Sequence, residues 1–307
     1  MNRNHIMIAS VAVVAAVAGL VAYLHGVSVP VLEPKGPVAA GELSVIIITL
    51  ALCALVVVPV FVLLFLFAWQ YRADNPHSRE RHMPDWDHHT RAVEFVWWLV
   101  PAVIVFFLAI LAIQSAHALD PYKPLSGANA PMTVEVVALD WKWLFIYPAQ
   151  GIASVNLVEF PENTPVHFDL TADAPMNSFW VPALGGQIMV MPGMTTQLNL
   201  LAYSIGDYRG VSGNISGKGF AGMTFTARAV SVSDFNAWVA SVQASSSPLT
   251  ASAYDSLAEP SEYDPVTTYS PVDPALYTDV TMKSMMPSTG SSLPAAAADM
   301  PMNMQMP

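Results

Sequence analysis

Three apolar runs among the first 116 residues set the terms for any fold this chain can adopt. Ile6–Leu24, Ser44–Trp69 and Ala92–Ile113 carry a single charge between them, Glu94. About 20 apolar residues, rising ~1.5 Å each, cross a hydrocarbon core ~30 Å thick, and each run is near or above that length. Helices of a soluble core are rarely so long and so uniformly apolar. The expected beginning is a signal sequence or N-terminal membrane anchor over residues 1–26, then a two-helix transmembrane hairpin over 43–115. The middle run is longer than a crossing needs, which suits a tilted helix. Pro59 and Pro101 are expected to kink the second and third runs, a cost that membrane helices tolerate.

Arginines orient the hairpin. Arg72, Arg79, Arg81 and Arg91 crowd the short loop 71–91 between the second and third runs. The positive-inside rule makes that loop cytoplasmic and puts everything after about Ser115 outside. Trp69, Tyr71, Trp97 and Trp98 cluster near the cytoplasmic ends of both helices, where an aromatic belt belongs. The segment Tyr23–Ser28 holds no cysteine, which excludes thioether lipidation there; Cys53 is the only cysteine and rules out an internal disulfide.

Hydrophobic residues make up 54% of the chain and charged residues 11%, a mixture that fits a membrane anchor joined to an extramembrane domain. The net charge of −11, with no basic stripe, argues against nucleic acid as a partner. From Pro131 onward the texture changes to short segments broken by Pro, Gly and Asn. Residues 132–138, 165–170, 195–200 and 223–229 alternate apolar and polar, as half-buried strands do. Their spacing predicts an antiparallel sandwich or small barrel. Ser233–Gln243 reads as a capped amphipathic helix with Phe235, Trp238 and Val239 on one face. Within a C-terminal aromatic-containing extension over 232–281, residues 245–280 are expected to pack irregularly against partner subunits. The Met/Ala/Pro/Ser-rich tail, 282–307, is expected to be disordered. Its Met300, Met302, Met304 and Met306 are soft donors for Cu(I), although a biased solvated tail is the reading preferred for them.

Several longer motifs carry a family resemblance. They are Leu32-Glu-Pro-Lys-Gly36, Phe67-Ala-Trp-Gln-Tyr-Arg72, Val93-Glu-Phe-Val-Trp-Trp-Leu-Val-Pro101, His117-Ala-Leu-Asp-Pro121 and the stretch Leu139–Ala153. Asn177–Gly185 and Tyr208–Met223 complete the set. Together they resemble subunit II of the bacterial cytochrome bo-type ubiquinol oxidases, within the haem–copper oxidase superfamily, over about residues 30–285. The resemblance implies a membrane-anchored α+β chain whose outer part, 125–231, is a cupredoxin-like Greek-key β-sandwich in the periplasm. It also implies a supporting place in a proton-pumping complex of the inner membrane. There subunit I holds the haems and copper and oxidises ubiquinol, and smaller subunits complete the assembly.

One loop separates this chain from the cytochrome c oxidases, whose metal loop has the pattern C-x-E-x-C-x-x-x-H-x-x-M with a further upstream His. Laying the final Met on Met223 puts Ser212 and Ser216 at the cysteines, Asn214 at the glutamate, Phe220 at the histidine and Asn177 at the upstream histidine. A mixed-valence copper pair needs bridging thiolates, and serine hydroxyls are hard and stay protonated. No metal or other cofactor is therefore expected on this chain, and no cytochrome c as partner.

The resemblance places Glu94 at the mouth of a proton channel of subunit I, which makes it the candidate for proton uptake. The alternative is an interfacial carboxylate reaching water or pairing with Arg91. Trp141 and Trp143 are expected to pack the sandwich against subunit I, with Asp140 and Lys142 flanking them in polar positions. Asp173 is expected to be a solvated loop carboxylate. His82, His88 and His89 lack companions at ligand spacing, and His117 and His167 are given no chemistry. The isolated chain is expected to have no activity of its own. Two other functions compete: a membrane-anchored copper carrier using the methionine tail, and subunit II of a cytochrome c oxidase.

Overall fold

The protein is described by a computed structural model covering residues 29–72, 90–245 and 247–284. The N-terminal run, the histidines of the 71–91 loop and the methionine tail lie outside these residues, apart from the first few residues of the tail.

Two long helices, α1 (Pro37–Gln70) and α2 (Thr90–Ala118), run through Pro59 and Pro101 as single elements. Their apolar side chains face outward: Phe65 is 68% exposed and Trp97 76%. Both helices are long and apolar enough to cross a membrane. Pro37 opens α1 at a position where its missing N–H costs nothing. The preceding segment is stitched to the outer domain: Lys35 N–H donates to Ala183 O at 2.7 Å, and Tyr203 N–H to Lys35 O at 2.8 Å. Gly36 sits at the seam because any Cβ there would strike the Leu201 carbonyl.

The outer domain is a two-sheet sandwich. Its strands are β1 (Met132–Leu139), β2 (Lys142–Tyr147), β3 (Ile152–Val155), β4 (Leu157–Pro161), β5 (Val166–Ala172), β6 (Asn177–Trp180), β7 (Ile188–Val190), β8 (Thr196–Leu200), β9 (Gly206–Ser212), β10 (Thr224–Val230) and β11 (Thr267–Tyr269). One sheet has the order β11-β3-β2-β1-β5-β8 and the other β4-β10-β9-β6-β7. The four strands expected from alternation all form, each within two residues of its expected ends. The sheets are mixed rather than purely antiparallel, because β1 pairs parallel with β5 and β4 with β10. Both pairs join strands whose connection crosses between the sheets, as a Greek-key path requires.

Alternation sorts the residues into two cores. Val134, Val136 and Ala138 on β1 face the other sheet and meet Trp143, Phe145, Phe168, Phe179 and Phe225. Val137 and Leu139 point the opposite way with Leu144 and Ile146, and bury against Leu249, Tyr254, Leu276, Tyr277 and Val280.

The second core corrects the expectation for 245–280. Instead of packing irregularly, this segment forms regular elements that wrap its own domain. After α3 (Val232–Gln243) come α4 (Ala251–Ala258), strand β11 on the sheet edge and α5 (Leu276–Lys283). Ser231 caps α3 by accepting from Asp234 N–H, and Thr250 caps α4 by accepting from Ala253 N–H. Helix α5 takes in Met282 and Lys283, so helical structure runs two residues into the expected tail.

Candidate functional site

The positions that carry metal in the resembling cytochrome c oxidases converge at one end of the sandwich. Asn177 opens β6, Ser212 closes β9 and Met223 immediately precedes β10. Backbone bonds hold the ends together: Ser212 N–H donates to Met223 O at 3.2 Å, and Gly213 N–H to Ser178 O at 2.9 Å. Backbone hydrogen bonds of the sheet thus hold the ends of the loop in place.

Apart from Ser216, the polar side chains of the loop find partners within it. Ser212 Oγ donates towards Asn177 Oδ1 at 3.0 Å, with Asn214 O also in reach at 3.2 Å. Asn177 Nδ2 donates to Pro175 O and Asn214 Nδ2 to Met176 O, both at 2.8 Å. Met223 is 1% exposed and belongs to the sandwich core. Phe220 lies half-buried in a 3₁₀ turn, Phe220–Gly222. Ser216 Oγ is buried without a hydrogen-bond partner among the described residues. A lone hydroxyl is no substitute for a bridging thiolate, and the amides around it already bond within the loop. This donor set does not fit a dinuclear copper centre. Nor is there, among the described residues, any group of three His, Cys, Asp or Glu that could hold a metal.

Trp141 belongs to this loop. It turns the chain between β1 and β2 with φ +66°. Its ring lies against Gly219, where any Cβ would collide with it, and its Nε1–H donates to Ser216 O at 3.4 Å. Trp141 stays half-buried, but Trp143 is not an interface residue: it is fully buried, edge-on to Phe179 at 5.3 Å and Phe225 at 5.7 Å. Two residues along a strand share a face. Trp141 has left the strand for the turn, so the spacing does not make the pair equivalent.

Two polar residues are also reassigned. Lys142 is not a surface neighbour of Trp141 but 2% exposed, with its ammonium donating to Glu259 O at 3.0 Å and to Ser261 Oγ, 3.6 Å from the Asp264 carboxylate. Asp173 is partnered rather than solvated: it accepts from Tyr254 Oη at 2.9 Å and Lys283 Nζ at 2.7 Å. Burial, then the adjoining Asp173 charge, push the Tyr254 phenol well above its ordinary range, so it stays a donor. Asp140 remains half-buried in the turn. His167 bridges Asn199 at 2.9 Å and Asp169 at 3.3 Å; His117 Nδ1 bonds Ile113 O at 2.8 Å.

Glu94 sits one turn into α2 with its side chain exposed. Among the described residues it has no ion pair with Arg91, although both lie on the same helix. The structure does not bring Glu94 near the emptied loop, which lies beyond the other end of the hairpin.

A family model described as cytochrome c oxidase subunit II, transmembrane domain, matches residues 38–114, and one described as the COX aromatic rich motif matches residues 243–288. The second match falls on the segment that wraps the sandwich. The chain is 48% identical over 251 residues to the cytochrome bo(3) ubiquinol oxidase subunit 2 of Pseudomonas putida, covering 82% of this chain and 79% of that one. It is 48% identical over 262 residues to the ubiquinol oxidase subunit 2 of Acetobacter aceti, covering 85% and 84%. The periplasmic domain of cytochrome oxidase subunit II (CoxB) of Bradyrhizobium japonicum aligns over 37% of this chain and 94% of its own, with 25% identity and a TM-score of 0.35.

Proposed function

The chain belongs to the ubiquinol oxidase subunit 2 family, and we propose that it acts as the non-catalytic, copper-free second subunit of a proton-pumping quinol oxidase. Its hairpin anchors it in the bacterial inner membrane beside subunit I, and its sandwich stands on the periplasmic side. Haems and copper reside in subunit I, where ubiquinol delivers electrons and oxygen is reduced. The observation that supports this most is the loop at Asn177, Ser212, Asn214 and Ser216. Hydroxyls and amides standing where thiolates and an imidazole would be needed leave no redox centre to accept an electron from cytochrome c.

The purified complex tests this. It should contain a single copper for each pair of haems, show no near-infrared mixed-valence copper band, and oxidise ubiquinol but not cytochrome c. A further copper pair tracking with this subunit would overturn the reading, as would tight Cu(I) binding that truncation of the methionine tail abolishes.

Glu94 is the proposed point of proton uptake. Its exposed position near the start of α2 leaves it free to face a channel mouth in subunit I. Glu94→Gln is expected to slow turnover and proton uptake roughly tenfold, equivalent to ~1.4 kcal/mol on the limiting step, with Glu94→Asp recovering most of the rate. Unchanged uptake in Glu94→Gln would remove the assignment and leave the subunit's identity intact.

A further inference from the structure

At the opposite end of the hairpin, another acid lies where membrane and sandwich meet. Glu42 is five residues into α1, about 8 Å below its start, which places it in the head-group layer rather than the hydrocarbon core. Its carboxylate accepts the Gly186 N–H from the loop between β6 and β7. No cation pairs with it: the ion pairs of the described residues all lie within 142–283. Glu42 lines two adjoining spaces. One is an open cleft of about 680 Å³ between the helices, walled by Val45, Ile46, Ala112 and Ala116. The other is a cavity of about 110 Å³ reaching under the sandwich, where Asp120 and Lys123 join it. Lys123 has no ion-pair partner among the described residues either.

We propose that this junction binds one phospholipid with a primary ammonium head group, of the phosphatidylethanolamine class. The ammonium donates to Glu42, the phosphate is met by Lys123, and an acyl chain lies in the apolar cleft. The charge pattern selects the head group. A trimethylammonium has no N–H to donate to a carboxylate, and a glycerol head group offers its phosphate but no cation for Glu42. Two carboxylates, Glu42 and Asp120, and one ammonium, Lys123, line the same cavity, a pattern that complements a head group whose cation meets the acids and whose phosphate meets the lysine, and that disfavours a purely anionic one. The site depends on membrane placement and not on which donor feeds the complex.

Native mass spectrometry of the intact complex, titrated with dioleoyl-phosphatidylethanolamine, -phosphatidylcholine or -phosphatidylglycerol, tests the assignment. The unaltered complex should retain one phosphatidylethanolamine with roughly tenfold preference over the other two lipids, as expected for one charge-assisted hydrogen bond. Glu42→Gln keeps an acceptor for Gly186 N–H but removes the charge, and should abolish the preference. Ala116→Phe fills the cleft wall from the other side and should lower retention of all three lipids. Ubiquinol turnover, measured on the same samples, should be unchanged in both variants, which separates this result from the proposed function. Equal retention by the unaltered complex and Glu42→Gln would overturn the site, as would a preference for phosphatidylglycerol or a cleft closed to lipid by another subunit.

Discussion

Replacing Lys142 with alanine is expected to cost about 3 kcal/mol, or roughly 6–12 °C in Tm, and to free residues 259–264 for proteolysis. Lys142 begins β2 with its side chain 2% exposed, and its ammonium reaches Glu259, Ser261 and Asp264 from the sheet. Deleting it leaves the Asp264 carboxylate and a carbonyl facing an emptied space. Asp264 is 24% exposed and keeps its bond from Ser261 Oγ at 2.7 Å, so the cost falls at the lower end of what a broken buried pair gives. Thermal unfolding of the full chain in detergent, with limited proteolysis, measures both effects. Adding Asp264→Asn to Lys142→Ala should recover part of the loss, because the stranded charge goes with it. A loss below about 1 kcal/mol would show that the extension is held by its apolar contacts alone.

Those apolar contacts explain what the sequence conveyed and what it concealed. The apolar runs were plain because a membrane helix has no polar face to disguise it. Strands β1, β5, β8 and β10 alternate because each has one face less covered than the other; β10 buries every second residue. Strand β2 does not alternate, since all six of its residues are buried. Its inner face lies in the sandwich core and its outer face is covered by the wrapping extension. A central strand covered on both sides reads as an unpatterned apolar run.

The extension was hidden for the complementary reason. Helices α4 and α5 have only eight residues each and contact the sheet through a few aromatics and aliphatics, too little periodicity to stand out. Thr250 was a usable signal, a capping residue just before a helix-forming stretch. In the loop, the loss of sulfur and imidazole was legible by position. The bond between Ser212 and Asn177, and the ring of Trp141 laid over Gly219, depend on long-range approach and were not. Asp173 was misjudged for the same reason: its partners, Tyr254 and Lys283, lie 81 and 110 residues further along the chain.

The two tryptophans that look alike in sequence should separate sharply in experiment. Trp143→Ala is expected to destabilise the sandwich by about 4 kcal/mol, within the range for emptying a fully buried indole. Its ring is the largest of the fully buried side chains and contacts Phe179 and Phe225, which themselves stack at 4.8 Å. Removing it opens a void between the two sheets, and the pair of phenyl rings cannot close it without shifting β6 and β10. Trp143→Phe, which keeps an aromatic edge in place, should cost less than half as much. Trp141→Ala should cost only about 1–2 kcal/mol, since its ring is half-buried and its bond to Ser216 O is long at 3.4 Å. Its signature should instead be local: faster amide exchange over 214–220, with the core strands unaffected. Chemical denaturation and hydrogen exchange on the full chain in detergent measure both variants. Equal losses for Trp141→Ala and Trp143→Ala would mean that the loop and the core unfold as one unit, and that the ring over Gly219 holds the sandwich end closed as firmly as the indole inside it.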